Sequence, residues 1–172
     1  MPVVTLSWQE QLFAGQAGLM RRLSALSRQR CEPYGPPTVD LWGNDIESCG
    51  AEAAVAKLLD RYWLAVVARP QELPGDVGDV QVRSTQRADG RLIVYERDPD
   101  DARFVLVRGR FPTYDVVGWL RGRDAKRRHF YRVDVKHPAF FVPADALASM
   151  QILTDEVART TPGWPLSPAA GA

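Results

Sequence analysis

The sequence is poor in the residues and patterns that mark several classes of protein. It has two cysteines, Cys31 and Cys49, and two histidines, His129 and His137, in 172 residues. These are too few and too scattered to indicate a disulfide scaffold or a structural zinc site. No apolar run approaches the roughly 18 residues of a membrane span, and the N-terminus has no secretory signal pattern. We therefore expect a reduced, cytoplasmic protein that is not inserted in a membrane.

The common catalytic motifs are also missing. The chain contains no P-loop and no G-x-G-x-x-G, so no nucleotide cofactor is predicted. It has neither the G-x-S-x-G elbow of α/β-hydrolases nor a helical H-E-x-x-H. Hydrolases and oxidoreductases of these types are not indicated.

What the chain does have is an ordinary globular composition with uneven charge. Apolar residues make up 45% and charged residues 25%, and the net charge is +1. Between residues 103 and 137, however, ten Lys/Arg stand against three Asp/Glu, interleaved with aromatic side chains. This mixture suits contacts to phosphates and bases, although a solvated basic surface has the same composition.

The N-terminal third predicts two helices. Residues 6–30 form an amphipathic pattern packed on the core, with Ser7 and Glu10 at capping-box spacing and an apolar face of Leu12, Leu19, Leu23 and Leu26. A proline-rich loop follows at 31–43. Residues 44–63 predict a second helix that Asn44 or Asp45 caps.

The rest of the chain predicts a sheet and a closing helix. Short apolar or alternating runs at 64–68, 80–85, 91–96, 103–109 and 114–122 are typical of strands, and 104–107 is apolar throughout, as in a central strand covered on both faces. Pro143 is a suitable first-turn residue for a closing helix at 143–153. The fold class is a single-domain α/β (α+β) protein with N-terminal helices before a mixed four- to five-stranded sheet. We divide it into residues 1–43, packing on the core, a core at 44–155 and a loose tail at 156–172.

Several acidic and polar side chains are candidates for chemistry. Glu52 lies at the edge of the buried face of the second helix, where an ionised carboxylate requires a cation: an arginine, a lysine or a metal. Asp76 ends a loop and leads into the strand at 80–85. On that strand, one face carries the polar side chains Asp79, Gln81, Arg83 and Thr85.

These residues resemble the PD-(D/E)XK, restriction-endonuclease-like nuclease superfamily, in the form found in phage and prophage genomes. The resemblance covers about residues 46–122 and rests on "GAEAAVAKLL", on "PGD" and on "QVRST" in the place of the E-x-K motif. It implies a restriction-endonuclease-like core and hydrolysis of DNA with Mg²⁺ or Mn²⁺. The implied metal ligands are Glu52, Asp76 and Gln81, with Asp79 as a substitute. Because only four residues separate Asp76 from Gln81, fewer than the family commonly has, the resemblance requires a tight bend at Gly78.

Two substitutions alter the motif that the resemblance supplies. Gln81 stands where the family has a carboxylate, and its amide oxygen is an uncharged ligand. Arg83 stands for the lysine, and it can clamp a phosphate but cannot act as a base. The implied DNA contacts are in the basic stretch: Arg121, Arg123, Lys126, Arg127, Arg128 and His129.

Two alternatives stay open beside the nuclease. The chain can have a nuclease-like fold without catalysis and act as a DNA- or protein-binding phage accessory factor. It can also be a structural protein whose charges only solvate the sheet. A homodimer is compatible with either enzyme or binding module.

Overall fold

The computed structural model describes residues 1–28, 40–67 and 74–160. The helices are α1 (Trp8–Ser27), α2 (Leu41–Leu58), α3 (Gly122–Ala125) and α4 (Met150–Thr160). The strands are β1 (Val3–Thr5), β2 (Val80–Thr85), β3 (Leu92–Val94), β4 (Arg103–Arg110), β5 (Thr113–Arg121), β6 (Tyr131–Arg132) and β7 (Ala139–Val142). The protein is thus a mixed α+β structure. None of the helices in these ranges combines the length and apolar character that crossing a bilayer requires.

Helix α1 begins as predicted but presents the opposite face to the core. Ser7 is the N-cap, and it exchanges hydrogen bonds with Glu10 in a capping box. The buried residues of α1 are three small ones, Ala14, Ala17 and Gly18, and Arg22. A Cβ atom on Gly18 would lie 2.6 Å from the Cα of Ile46, so the two helices are in backbone contact.

The predicted leucine face of α1 therefore points outward. The four leucines at positions 12, 19, 23 and 26 are all exposed. Packing on the core through these leucines was the wrong prediction, because close contact with α2 selects the small residues instead.

Helix α2 starts earlier and ends earlier than its sequence pattern indicates. Its N-cap is Asp40, whose carboxylate accepts a hydrogen bond from the amide of Gly43, and not Asn44 or Asp45. The helix ends at Leu58, and Asp60 adopts a left-handed conformation with φ of 50°. Residues 49–56 are buried without exception, which makes α2 the central helix of the protein.

The strands form two sheets, where one of four to five strands was predicted. The larger sheet has the order β1-β5-β4-β2, in which β2 and β4 are parallel and the other pairs antiparallel. The smaller sheet has the order β3-β7-β6. Strand β4 lies between two neighbours and residues 104–107 are fully buried, which confirms the prediction of a central strand.

Each face of the larger sheet covers its own apolar cluster. Val105 and Val107 of β4 pack with α1, α2 and α4, whereas Phe104 and Leu106 pack with the smaller sheet. Alternate residues of a strand point to opposite faces. The even-numbered residues of β2 and the odd-numbered residues of β4 therefore point toward the helices, and the others point toward the smaller sheet.

Two other predicted elements are different in the structure. Residues 64–67, the described part of the expected first strand, are not a strand. Pro143 precedes a short 3₁₀ turn at Ala144–Ala146, and the closing helix begins only at Met150. The predicted tail includes the last turns of α4, and residues 161–172 lie outside the described ranges.

Candidate functional site

Glu52 has a protein cation as its partner. Its two carboxylate oxygens accept hydrogen bonds from the two terminal nitrogens of Arg21, at 2.6 and 2.7 Å. The indole Nε1 of Trp63 donates a third bond to the same carboxylate at 3.1 Å. Only 6% of Glu52 is exposed, so the α2 carboxylate is a buried acid held on α1 by a bidentate arginine.

The electrostatics of this pair reflect its burial. Burial raises the pKa of Glu52 above its ordinary value, the contact with Arg21 opposes this rise, and the charge of Asp76 adds to it. Burial also acts to lower the pKa of Arg21, but the hydrogen bonds and charge of Glu52 help to raise it overall. Arg21 is therefore a fixed cation, and it is further held by a 2.8 Å hydrogen bond to the carbonyl of Val66.

Asp76 lies within electrostatic range of this pair. Its charge acts on the pKa values of both Glu52 and Arg21. The chain bends at Gly78, with φ of 62°, so that the carboxylate of Asp76 reaches the amide of Val82 at 2.8 Å. The predicted tight bend is confirmed, and it places Asp76 beside the first residues of β2.

Gln81 and Arg83 point away from Glu52. On β2, Val80 and Val82 pack in the layer of α2, so Gln81 and Arg83 enter the opposite layer. Gln81 is buried and donates from Nε2 to the carbonyl of Pro74 at 3.0 Å.

Two further residues of the predicted site have protein partners in the β2 region. Arg83 forms an ion pair with Asp98 at 3.2 Å and lies over the ring of Phe104. Asp79 is paired with Arg103, which also bonds to Glu156 of α4. The polar face of β2 thus joins β2 to its neighbours, and it does not converge on the acid pair.

These contacts decide whether the predicted set fits a divalent metal. Within the described ranges, no group of three or more His, Cys, Asp or Glu residues is placed to hold an ion. Both oxygens of Glu52 are engaged by Arg21, and Asp79 is engaged by Arg103. A hard cation such as Mg²⁺ needs several free oxygen ligands, so the residues in this arrangement do not fit it.

The first part of the basic stretch is tied to nearby acids and carbonyls. Arg121 lies 3.7 Å from Glu156, and Arg123 is paired with Asp101. The ammonium of Lys126 donates to the carbonyls of residues 96 and 98 and to the carboxylate of Asp100. Arg123 and Lys126 thus hold the turn at 98–101 against α3, whereas Arg121 contacts α4.

The second part of the stretch is open to solvent. Residues 127–129 and 131–134 are exposed. The ring of Tyr131 packs at a tilt against Phe140, and 38% of Tyr131 is accessible. We call residues 127–136 the basic segment. It holds four Lys/Arg and one acid, Asp134, which pairs with Arg132 at 2.5 Å. Arg127 lies 3.7 Å from Asp124. Among the six residues predicted to contact DNA, Arg123, Arg127, Arg128 and His129 are exposed, and Arg123 is paired with Asp101.

Sequence reasoning missed Arg21 and Trp63 as the partners of Glu52. The requirement for a cation was visible, but the cation is 31 residues away on another helix. The position of Arg21 in the helical pattern of residues 6–30 offered no means of choosing it over its neighbour Arg22, which pairs with Asp45.

Comparison of the chain with protein-family models, with curated proteins and with solved structures found no match.

Proposed function

We propose that the protein binds DNA through the basic segment without hydrolysing it. The observation that carries this proposal is the exposed run of residues 127–136, where cations alternate with His129 and Tyr131. Arginines supply phosphate contacts, and an accessible ring offers a surface for stacking on bases.

The engagement of the acid pair supports binding over catalysis. Arg21 neutralises Glu52 in a buried bidentate contact, so this part of the molecule is stabilised without a metal. A nuclease-like arrangement of acids that is held by an arginine is consistent with an accessory protein that retains DNA affinity.

The test is a binding titration of a labelled duplex about two helical turns long, and of the matching single strand, by fluorescence anisotropy. Arg128→Glu should weaken binding roughly tenfold. The dependence of affinity on salt should become shallower by about one ion for each phosphate that the variant no longer neutralises. Arg110→Glu is the matched control, because Arg110 is an exposed arginine at the opposite end of the β4–β5 hairpin.

Two results would contradict DNA binding. One is the absence of measurable binding at low salt. The other is an equal loss of affinity in Arg128→Glu and Arg110→Glu. This would indicate that affinity depends on the overall surface charge and that the basic segment is not the DNA-binding site.

A metal-dependent nuclease is the second candidate, and the electrostatic influence of Asp76 on Glu52 favours it. Activity would require Arg21 to release Glu52. Plasmid and linear DNA should be incubated with Mg²⁺ or Mn²⁺ and with wild type, Glu52→Gln or Asp76→Asn. Metal-dependent cleavage that disappears in both variants would establish the nuclease, and the same result in all three proteins would exclude these residues as its site.

A further inference from the structure

The outward face of α1 is more apolar than the face that packs on the core. Large apolar residues are exposed along its whole length: Trp8, Leu12, Phe13, Leu19, Met20, Leu23 and Leu26, each between 45% and 71% accessible. The buried side carries two alanines, a glycine and Arg22. A helix of a monomeric protein normally shows the reverse distribution.

The size of this surface is that of an interface. Side chains this large and this exposed each present roughly 100 Å² of apolar area, so the seven together offer about 700 Å². The largest apolar patch of a typical monomer covers about 300–600 Å², and a standard interface takes about 800 Å² from each partner. The face is therefore large enough to support a stable complex.

The charge distribution indicates an apolar partner. Of the charged residues between 8 and 28, Glu10 pairs with Lys57, Arg21 with Glu52, and Arg22 with Asp45. The apolar positions are interspersed with glutamine and serine, and Arg28 lies at the end. Between residues 8 and 27, DNA or a strongly charged protein would find no complementary group on this face.

The spacing of the leucines matches the helix to itself. Leu12, Leu19 and Leu26 follow one another at intervals of seven residues and lie on one stripe of the helix. Leu19 is the midpoint, so a two-fold axis beside it sets Leu12 against Leu26 of the partner subunit. The contact then runs for about 21 Å along the helix.

We infer that the protein forms a homodimer through an antiparallel pairing of its α1 helices, centred on Leu19. The antiparallel orientation is favoured because it places the positive N-terminal end of each helix dipole beside the negative C-terminal end of the other. It also keeps the two copies of Arg28 at opposite ends of the interface. The interface uses the side of α1 that faces away from Arg21 and Glu52.

The apolar surface continues beyond α1 in a way that an antiparallel partner can use. Phe13 lines a groove of about 360 Å³ together with Tyr62, Trp63 and Leu64. Tyr62 is 84% exposed and Leu64 is 57% exposed. Side chains at the C-terminal end of the partner's α1 would lie near this groove.

The test measures the mass of the full chain in solution by light scattering and sedimentation. The wild type should be a dimer of about 38 kDa, twice the 19.2 kDa of one chain. Leu19→Glu places a carboxylate from each copy at the axis and should raise the dimer dissociation constant at least about 100-fold. Ile152→Glu is the control, because Ile152 is an equally exposed apolar residue on α4, and it should leave the dimer intact.

A charge pair tests the orientation. Leu12→Glu and Leu26→Lys should each weaken the dimer, and the double variant Leu12→Glu/Leu26→Lys should recover affinity because opposite charges meet in the antiparallel arrangement. In a parallel arrangement like charges would meet, and the double variant would be the weakest.

Several results overturn the inference. If the wild type and the Leu19→Glu variant are both dimers, the interface lies elsewhere on the molecule. If the wild type is a monomer and Leu19→Glu lowers its thermal stability, this face is covered by another part of the same chain. A monomeric wild type with unchanged thermal stability in that variant would leave the face to a different protein.

Discussion

Replacing Arg21 by methionine removes the guanidinium from a carboxylate that has almost no access to water. Methionine keeps the length and apolar stem of the side chain, so the substitution chiefly deletes the charge and its hydrogen bonds. Glu52 would keep only the indole of Trp63 as a donor among its observed partners. An ionised acid left in this state is strongly destabilising.

The expected loss of stability in Arg21→Met follows from the geometry of the Arg21–Glu52 ion pair. Two hydrogen bonds at 2.6 and 2.7 Å join fully charged groups, and Glu52 is 6% exposed. Breaking a buried ion pair by removing one partner costs about 3–5 kcal/mol in the free energy of unfolding. We expect Arg21→Met to lower stability by this amount at pH 7, measured by urea denaturation.

The loss of stability caused by Arg21→Met should become smaller as the pH falls. Burial already raises the pKa of Glu52, and removing Arg21 removes the influence that lowers it, so the pKa rises further. A carboxyl whose folded-state pKa is above its unfolded value stabilises the fold when protonated and loses this contribution as the pH rises through the folded pKa. The difference between Arg21→Met and wild type should thus be largest at pH 7–8 and smaller near pH 5.

A double substitution separates the charge effect from the loss of packing. Arg21→Met/Glu52→Leu replaces both charges by apolar groups and should be more stable than Arg21→Met alone. A loss in Arg21→Met below about 1 kcal/mol, or one that does not change between pH 5 and pH 7, would refute the account of Glu52 as a buried acid that depends on Arg21.

Two further predictions concern α1 and α2. Gly18→Ala should destabilise the protein by about 1–3 kcal/mol because its Cβ would meet the backbone of Ile46. Gly15→Ala has open space around the new Cβ and should stabilise the protein by about 0.5–1 kcal/mol. Denaturation curves that rank the two variants in the reverse order would contradict the close contact of the helices. Burial raises the pKa of the Cys49 thiol to about 12, so iodoacetamide at pH 8 should label it at least about 100-fold more slowly in the folded protein than in urea; peptide mapping by mass spectrometry measures this, and equal rates would show that α2 opens readily.

The features that the sequence predicted well depend on short-range chemistry. The capping box of Ser7 and Glu10 involves residues three apart, and the bend at Gly78 needs a left-handed conformation that glycine adopts freely. The central position of residues 104–107 followed from a run with no polar residue.

The features that could not be predicted depend on which segments meet in space. The apolar pattern of α1 is satisfied equally by the core or by a partner, and only the backbone contact at Gly18 decides between them. The separation of β3 into a second sheet depends on its pairing with β7, about 50 residues later along the chain. Gln81 and Arg83 looked like neighbours of Glu52 because the sequence does not state which layer each face of β2 enters.

The carboxylate of Asp76 also affects how the free margin of the larger sheet behaves. Strand β2 is an edge strand of that sheet within the described residues. Unpaired amides on an edge strand, here called the margin of the sheet, can pair with a strand of another polypeptide. Because Asp76 accepts the amide of Val82, an incoming chain would have to displace this oxygen before pairing there. An alanine at this position would open the margin to aggregation as well as removing an acid, whereas an asparagine keeps an oxygen in place and separates the two effects.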